Sequence, residues 1–569
     1  MKQKSRILLS VIMAILCIIV VQWKTGIYFE TNDDRFLTEI LSGSVTQGPE
    51  AHTVYVNYLL SLPLSLLYRI TLGIPWYGGC LILLQLVAYS GIFESVLSCC
   101  EKKWETAVAV CVCGGLFLCN LYLTGLLQYT STAALLAIAG YACLMRDMTS
   151  KERLTLFFVF QLLAYLLRSN AMLMIQPLGA AILFGLFIEK GSYRSREGWR
   201  DFGKWALGLI IVLAIGLAGQ YLGYHSVEWR DYNRFNDAGT VLYDYYGTPD
   251  YEEVKDILER YQVTKQEYLA YCNYIVMDYD VSPECARELA AYTEEHRQNP
   301  FHLVALLGKM YTVCMHGEYL KSNHVLVGAW CMALLWILLL RKWKLLFPFV
   351  CLTGGKSIVW CYLLYKGRTP MRIVLPLFFG EMLLLVLLMW KDYAQGEKKK
   401  LNVVLWMGTG VLLLVLTYGA GQAQYRYVLP ENRNQGIFME GLREVQQYCM
   451  EHSDNRYVLD SIPFSYYKGS VWETGIYGRK NGVYSGSWYA NSPSSREYLK
   501  SYFQGHEEDM HLIVYDDGAP LEVQSTYPAV MYFTEKFKRK PIMEERLTVS
   551  HGGSYLIWHF KGGSSFAEE

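Results

Sequence analysis

The stretch VYVNYLLSLPLSLLYRI, Val54–Ile70, decides how this chain is arranged. It is apolar enough to be read as a membrane span, and every later segment changes side according to that reading. If it crosses, Lys102, Lys103, Arg146, Lys151 and Arg153 all lie outside. If it lies along an outer surface, with Pro63 at its middle, the basic loops fall together on the other side. These are Lys102/Lys103, Arg146–Arg153, Lys190–Lys204, Arg341–Lys344 and Lys391–Lys400. Basic loops collect on the cytoplasmic face of membrane proteins, so the interfacial arrangement is preferred.

Composition places the chain in that class. Of its 569 residues 53% are hydrophobic and 18% charged, and the apolar residues recur in windows near the ~20 residues that a bilayer core requires. With Val54–Ile70 on the surface, the pattern predicts about eleven spans. They are approximately 7–23, 78–98, 104–120, 128–145, 154–168, 171–188, 205–222, 325–340, 345–363, 372–390 and 401–419. Lys2, Lys4 and Arg6 precede the first span, which lacks the short core and small-residue cleavage site of a signal peptide. The N-terminus is therefore expected in the cytoplasm and the C-terminus outside the cell membrane. The expected fold is an all-α polytopic membrane core with two exported pieces. Residues 1–222 form the N-terminal core with its first outer loop, and 223–324 an acidic, helical exported loop. Residues 325–420 complete the membrane helices, and 421–569 form a small exported α/β domain. Helical spacing in EEVKDILERY and ECARELAAYTEEH, with Ser282 as an N-cap, supports the helical loop. A hairpin, RLTVS-HGG-SYLIWHF, closed on Gly552-Gly553, supports the second piece. The net charge of zero gives no global basic field for nucleic acid.

Chemistry-bearing residues gather at the outer ends of the expected spans. Asp33 and Asp34, in ETNDDRFLTE (Glu30–Glu39), follow the first span directly. Carboxylates beside an apolar phase are costly, which favours a task for them there, although the same pair would also suit the N-terminus of the next helix. Lys366, Arg368 and Arg372 lie in an outer connection, against the positive-inside trend, and Arg168 ends the fifth span. Guanidinium groups clamp phosphates bidentately, and snorkelling to lipid headgroups is the other use of such residues. Lys356 and Glu381 lie inside neighbouring spans at matched depth, roughly 12–14 Å below the outer face, and are expected to pair. Thr353-Gly-Gly-Lys356-Ser357 imitates a phosphate-loop ending, but Val350 occupies the required first glycine. Most of the fifteen cysteines fall in apolar runs; Cys272 and Cys285, in the exported loop, are a pair that a disulfide could join. No thiolate or histidine spacing predicts a metal centre.

Asp33-Asp34 behind the first span, the spacing from Asp33 to Glu39-Ile40, and a surface helix before the second span resemble the GT-C superfamily of membrane glycosyltransferases. That superfamily includes protein O-mannosyltransferases, aminoarabinose transferases and oligosaccharyltransferases. Arg372-x-x-x-Pro376-Leu377 is similar to its late-helix signature. The outer pieces resemble those of uncharacterised Gram-positive bacterial membrane proteins. The resemblance implies transfer of a sugar from a polyprenyl-phosphate donor to a cell-wall or lipid glycan acceptor on the outer face. Asp33 would activate the acceptor and Asp34 support it. Lys366, Arg368, Arg372 and Arg168 would hold the lipid phosphate. The family's second acidic position, in the loop after the third span, is missing here: Asn120–Thr130 offers Gln128 and Tyr129 instead. The expected mechanism therefore requires no cofactor, and a bridging divalent metal is possible but unsupported. A lipid-glycan transporter or flippase, or an envelope assembly scaffold, is the alternative. The paired half-sequences of a transporter are not seen.

Overall fold

The structure, a computed structural model, describes residues 3–146, 150–277, 280–298, 301–396, 400–474, 481–504, 509–550 and 553–561. It is mostly helical. Among the described residues, eight helices are long and apolar enough to cross a membrane, the longest being Lys151–Glu189 and Leu401–Glu451. Of the other expected spans, two correspond to Lys103–Leu118 and Tyr129–Arg146, and one to the second half of Lys151–Glu189. That last helix is broken at Arg168, whose backbone is extended (φ −158°, ψ 100°), where the sequence places the turn between the fifth and sixth spans. The helices pack around Met371–Gln395, which is buried along almost its whole length, while Gln3–Thr25 turns Leu8, Leu16 and Ile19 outward.

Val54–Ile70 does not run from one end of the bundle to the other. Its helix covers only Tyr58–Ile70, and 13 residues at ~1.5 Å each give about 20 Å, short of a ~30 Å hydrocarbon core. Asn57 caps it by accepting from the Leu59 N–H, and the Asn57 N–H donates to the Leu166 carbonyl beside the break at Arg168 (2.8 Å). At the far end the Tyr77 N–H donates to the Tyr68 hydroxyl (3.1 Å). Both ends are thus tied to the same end of the bundle. Ser61, Leu64, Ser65 and Tyr68 face inward; Leu59, Leu66 and Ile70 face out.

The two pieces expected to be separate outside the helices share cores. Among the described residues, 223–324 form five short α-helices and a π-helical turn; the α-helices include Tyr251–Arg260 and Pro283–Arg297, the latter capped by the Ser282 hydroxyl. Ala270 and Ile275 of this segment pack under the C-terminal sheet with Val458, Leu512 and Phe533. A two-stranded parallel ladder joins β1 (Tyr28–Phe29) to β2 (Leu126–Leu127). The C-terminal sheet contains β3 (Tyr457–Leu459), β4 (Gly482–Tyr484), β5 (Met510–Asp516), β6 (Ile542–Thr548) and β7 (Ser554–Phe560). Its order is β4-β3-β5-β7-β6, with β3 parallel to both neighbours and β5-β7-β6 antiparallel. The expected hairpin is β6–β7; Gly552 of its turn lies outside the described residues.

Two expectations are corrected. The boundary at residue 420 falls within one helix, Lys400–Glu451, which continues through Pro430 and Gly436 although these disfavour a helix interior; its Met439, Leu442 and Val445 pack on the sheet. Cys272 and Cys285 are both free; Cys285 belongs to the apolar core of the 223–324 segment and Cys272 packs against that core.

Candidate functional site

The site is built on a short, firmly held helix, Asn32–Ser42. The Glu30 N–H extends the β1–β2 ladder by donating to the Leu127 carbonyl (2.9 Å), so the chain enters the helix at a fixed point. Asp34, fully buried in the first turn, accepts from the Tyr77 hydroxyl (2.8 Å) and from the Tyr129 N–H (3.1 Å). It ties this turn to the starts of two long helices. Burial pushes the Asp34 carboxyl well above the usual carboxylate range, against the pull of the Tyr77 hydrogen bond. On the other side, buried Arg35 lies 3.7 Å from Glu39 and donates to the Phe464 carbonyl (3.2 Å). Gly43 ends the helix at φ 83°, where the chain folds back so closely that a Cβ would stand 2.4 Å from Gly48.

Asp33, one residue earlier, is different. It is partly exposed and makes no hydrogen bond or close ion pair among the described residues, but it lies in the field of Arg372, Arg168 and Arg368. Burial raises its carboxyl above the ordinary value, those three arginines oppose the rise, and Asp244 adds to it. Arg168 stands at the break in its helix with its guanidinium over Tyr55 (4.8 Å) and Tyr129 (5.4 Å). Arg368 pairs with Asp244 (3.1 Å) and lies over Tyr245, and Arg372 approaches Glu30 at 3.9 Å. Lys366 sits further along the same loop, 3.7 Å from Glu294. Asp33, Arg168, Arg368 and Arg372, separated by up to 339 positions in the chain, are therefore brought together.

Other expected residues have other positions. Gln128 is buried, and its side-chain carbonyl caps the Tyr129–Arg146 helix by accepting from Thr130 and Ser131. Tyr129 contributes its ring beneath Arg168 and its N–H to Asp34, so it positions both charges. Lys356 Nζ lies 2.7 Å from Glu381, whose carboxylate also accepts from Trp360 (2.9 Å) and Trp330 (3.4 Å), away from the cluster.

The sequence reading missed Glu30, Asp244, Tyr55 and Tyr274. Glu30 accepts from the Tyr122 hydroxyl (2.9 Å), and its other carboxylate oxygen is buried without a partner. Burial lifts its carboxyl, against Arg372 and Tyr122. It is the first residue of the very stretch that contains Asp33, three positions earlier. Asp244 comes from Thr240–Tyr246, a π-helical turn whose acidic, aromatic composition is visible in the sequence but whose destination is not. Asp33 and Asp244 also bear on Tyr55 and Tyr274; burial raises both hydroxyls, that of Tyr55 to about 12.

The C-terminal piece roofs this end of the bundle. The Phe29 N–H donates to the Gly469 carbonyl (3.0 Å), Tyr28 bridges to Ser470, and Trp488 packs on Tyr55 at 4.6 Å. A small cavity between Asn32–Ser42 and the sheet, lined by Phe36, Val45, Tyr484 and Tyr489, contains none of the clustered charges and is separate from the site. No protein-family model matches this chain, and no curated protein was found to be similar to it.

Proposed function

We propose that the chain is a membrane glycosyltransferase that moves a sugar from a polyprenyl-phosphate donor to a cell-envelope acceptor at the outer face. One observation carries the reading: a partly exposed carboxylate, Asp33, without a direct partner, in the field of three arginines at one end of an apolar helical bundle. A carboxylate with a raised pKa is a better base at neutral pH. Asp33 takes the proton of an acceptor hydroxyl or amine as that group attacks the anomeric carbon. The bond from that carbon to the phosphate oxygen breaks, and its electron pair leaves with the phosphate. Arg372, Arg368 and Arg168 balance the charge that develops there, with Lys366 at the rim. Asp34 positions Asp33 and does not touch substrate. Glu30 and Asp244 supply the further carboxylates that Asn120–Thr130 lacks, and orient the arginines.

The membrane reading has its own support. Arg6, Arg146 and Arg153 gather at the end of the bundle opposite Asp33, and Tyr58–Ile70 is too short to cross. The reading takes an arrangement of about eleven spans, with the N-terminus in the cytoplasm and the C-terminal sheet outside. The test is to offer the purified protein a panel of labelled polyprenyl-phosphate sugars with envelope glycan acceptors. Wild type is expected to transfer label and Asp33→Asn is not. Equal, slow release by both sinks the catalytic reading.

A further inference from the structure

The C-terminal sheet contains a second constellation that the transferase reading does not use. His511 on β5 and His559 on β7 are opposite one another in the antiparallel register, and their rings stack at 4.0 Å with an interplanar angle of 15°. Glu544 reaches them from the edge strand β6. Pairing there jumps from Met543–Trp558 to Glu545–Ile557, so Glu544 is the extra residue of a bulge. In an unbroken strand Glu544 and Glu545 would point to opposite faces; a bulge re-aims one of them. Here both reach the same face, Glu545 to the Tyr448 hydroxyl (2.6 Å) and Glu544 to the histidines.

Three potential ligand atoms lie close together. Glu544 Oε2 lies 3.1 Å from His511 Nε2 and 3.7 Å from His559 Nδ1, and one ligand atom from each of the three residues lies within 4.8 Å of the others. Tetrahedral ligands at ~2.1 Å from a zinc ion stand roughly 3.4 Å apart. The remaining nitrogen of His559 is bonded to the Asp509 carboxylate. That is the outer contact by which metal-bound imidazoles are commonly oriented. His511 is buried; among the described residues its Nε2 faces Glu544 and its Nδ1 has no hydrogen-bond partner. Glu544 is half exposed, which leaves one side of the constellation open to solvent.

We infer that His511, His559 and Glu544 form a binding site for a divalent transition-metal cation of the zinc type, with the fourth position open to water. Two imidazoles and one carboxylate suit zinc better than calcium or magnesium, which prefer all-oxygen shells. The cation ties the edge strand β6 to β5 across β7. This inference is independent of the transferase reading.

The experiment uses the full chain in detergent, stripped with a chelator and titrated with Zn2+ against a chromogenic competitor. Wild type is expected to take up one tightly held zinc per chain. His559→Gln and Glu544→Gln abolish that uptake, Asp509→Asn weakens it about 10–100-fold, and His296→Gln, far from the sheet, leaves it unchanged. Glu544 is exposed enough for its substitution to spare the fold. Wild type loaded with Co2+ supplies a readout independent of any variant: intense visible bands of a tetrahedral ion are expected. Zinc binding by wild type no tighter than by Glu544→Gln overturns the proposal, as does the weak spectrum of a hexa-aquo cobalt ion.

Discussion

Two clusters of arginine and carboxylate stand at opposite ends of the helical bundle, and they are built differently. At one end Glu94 is closed. Arg153 grips both of its oxygens (2.6 and 2.9 Å), Arg146 donates at 3.0 Å, and Arg6 lies 3.8 Å away. At the other end Asp33 lies in the field of three arginines, none of which closes on it. Arg168 rests on tyrosine faces, while Arg368 and Arg372 lean toward Asp244 and Glu30. Complete pairing satisfies buried charge and fixes the helices Gln3–Thr25, Trp76–Leu97, Tyr129–Arg146 and Lys151–Glu189 to one another. Incomplete pairing leaves room for a ligand whose charge completes the set. The difference teaches that the number of charges at a place says less about its role than how far those charges are already satisfied.

Substitutions break the comparison in order of effect. Asp33→Asn should lower transfer by about 10²–10⁴-fold, the usual range for loss of a general base, with thermal unfolding almost unchanged. The pH–rate profile of wild type should support this. Asp33 must be ionised to act and its pKa is raised, so the acid limb lies above the ordinary value of 3.8. An acid limb at or below that value would count against Asp33 as the base. Glu94→Gln should do the reverse. It leaves buried arginines uncompensated at a cost of about 3–5 kcal/mol, read as a lower unfolding midpoint, while the transfer rate per folded molecule holds.

A subtler pair separates Asp34 from Asp33. Burial favours the neutral form of Asp34, so Asp34→Asn should fold and stay stable near pH 7. Asp34→Ala strands the Tyr77 hydroxyl and the Tyr129 N–H and should cost about 1–3 kcal/mol. Equal stability losses in both variants would show that Asp34 is needed as a charge. The smallest effect concerns Glu50, which joins the loop after Asn32–Ser42 to the C-terminal piece. Burial opposes its ionisation, but hydrogen bonds from His52 and Ser494 (2.7 Å) prevail and bring its pKa down to about 2. Its folded pKa lies below the ordinary 4.5, so its contribution is present above pH 4.5 and disappears as pH falls toward 2. Glu50→Gln should therefore flatten the acid side of the stability curve by about 1 kcal/mol, measured by denaturant unfolding between pH 2 and 6.

How much of this could be read from the sequence depended on range. The apolar windows and the side on which basic residues collect are local signals, and they placed Asp33, Arg168, Arg368 and Arg372 at the same ends of their segments. Depth counting likewise put Lys356 opposite Glu381. Asp244 had no such signal, because its position follows from the path of the 223–324 segment and not from its own neighbours. Glu30 was overlooked beside the more conspicuous Asp33-Asp34, although its place in the chain predicts the same surroundings. The β6–β7 hairpin was legible from alternation over two long strands. The runs RYVLDS and MHLIVYDD marked β3 and β5, whereas β4, three residues long, is too short to show a period, and the bulge at Glu544 left no mark in the pattern. GIFMEGLREVQQYCMEH was legible as helix, but Gly421 and Pro430 before it hid its continuity with the last apolar helix.

The central claim is that the open cluster, and not the closed one, receives the lipid phosphate. Binding of a labelled polyprenyl phosphate to the purified protein in detergent tests it directly, comparing Arg372→Gln with Arg146→Gln. The account predicts that Arg372→Gln weakens binding by roughly 10-fold or more, as expected for loss of a charge-assisted contact, and that Arg146→Gln binds as wild type does. Equal weakening by the two variants, or loss confined to Arg146→Gln, would contradict it.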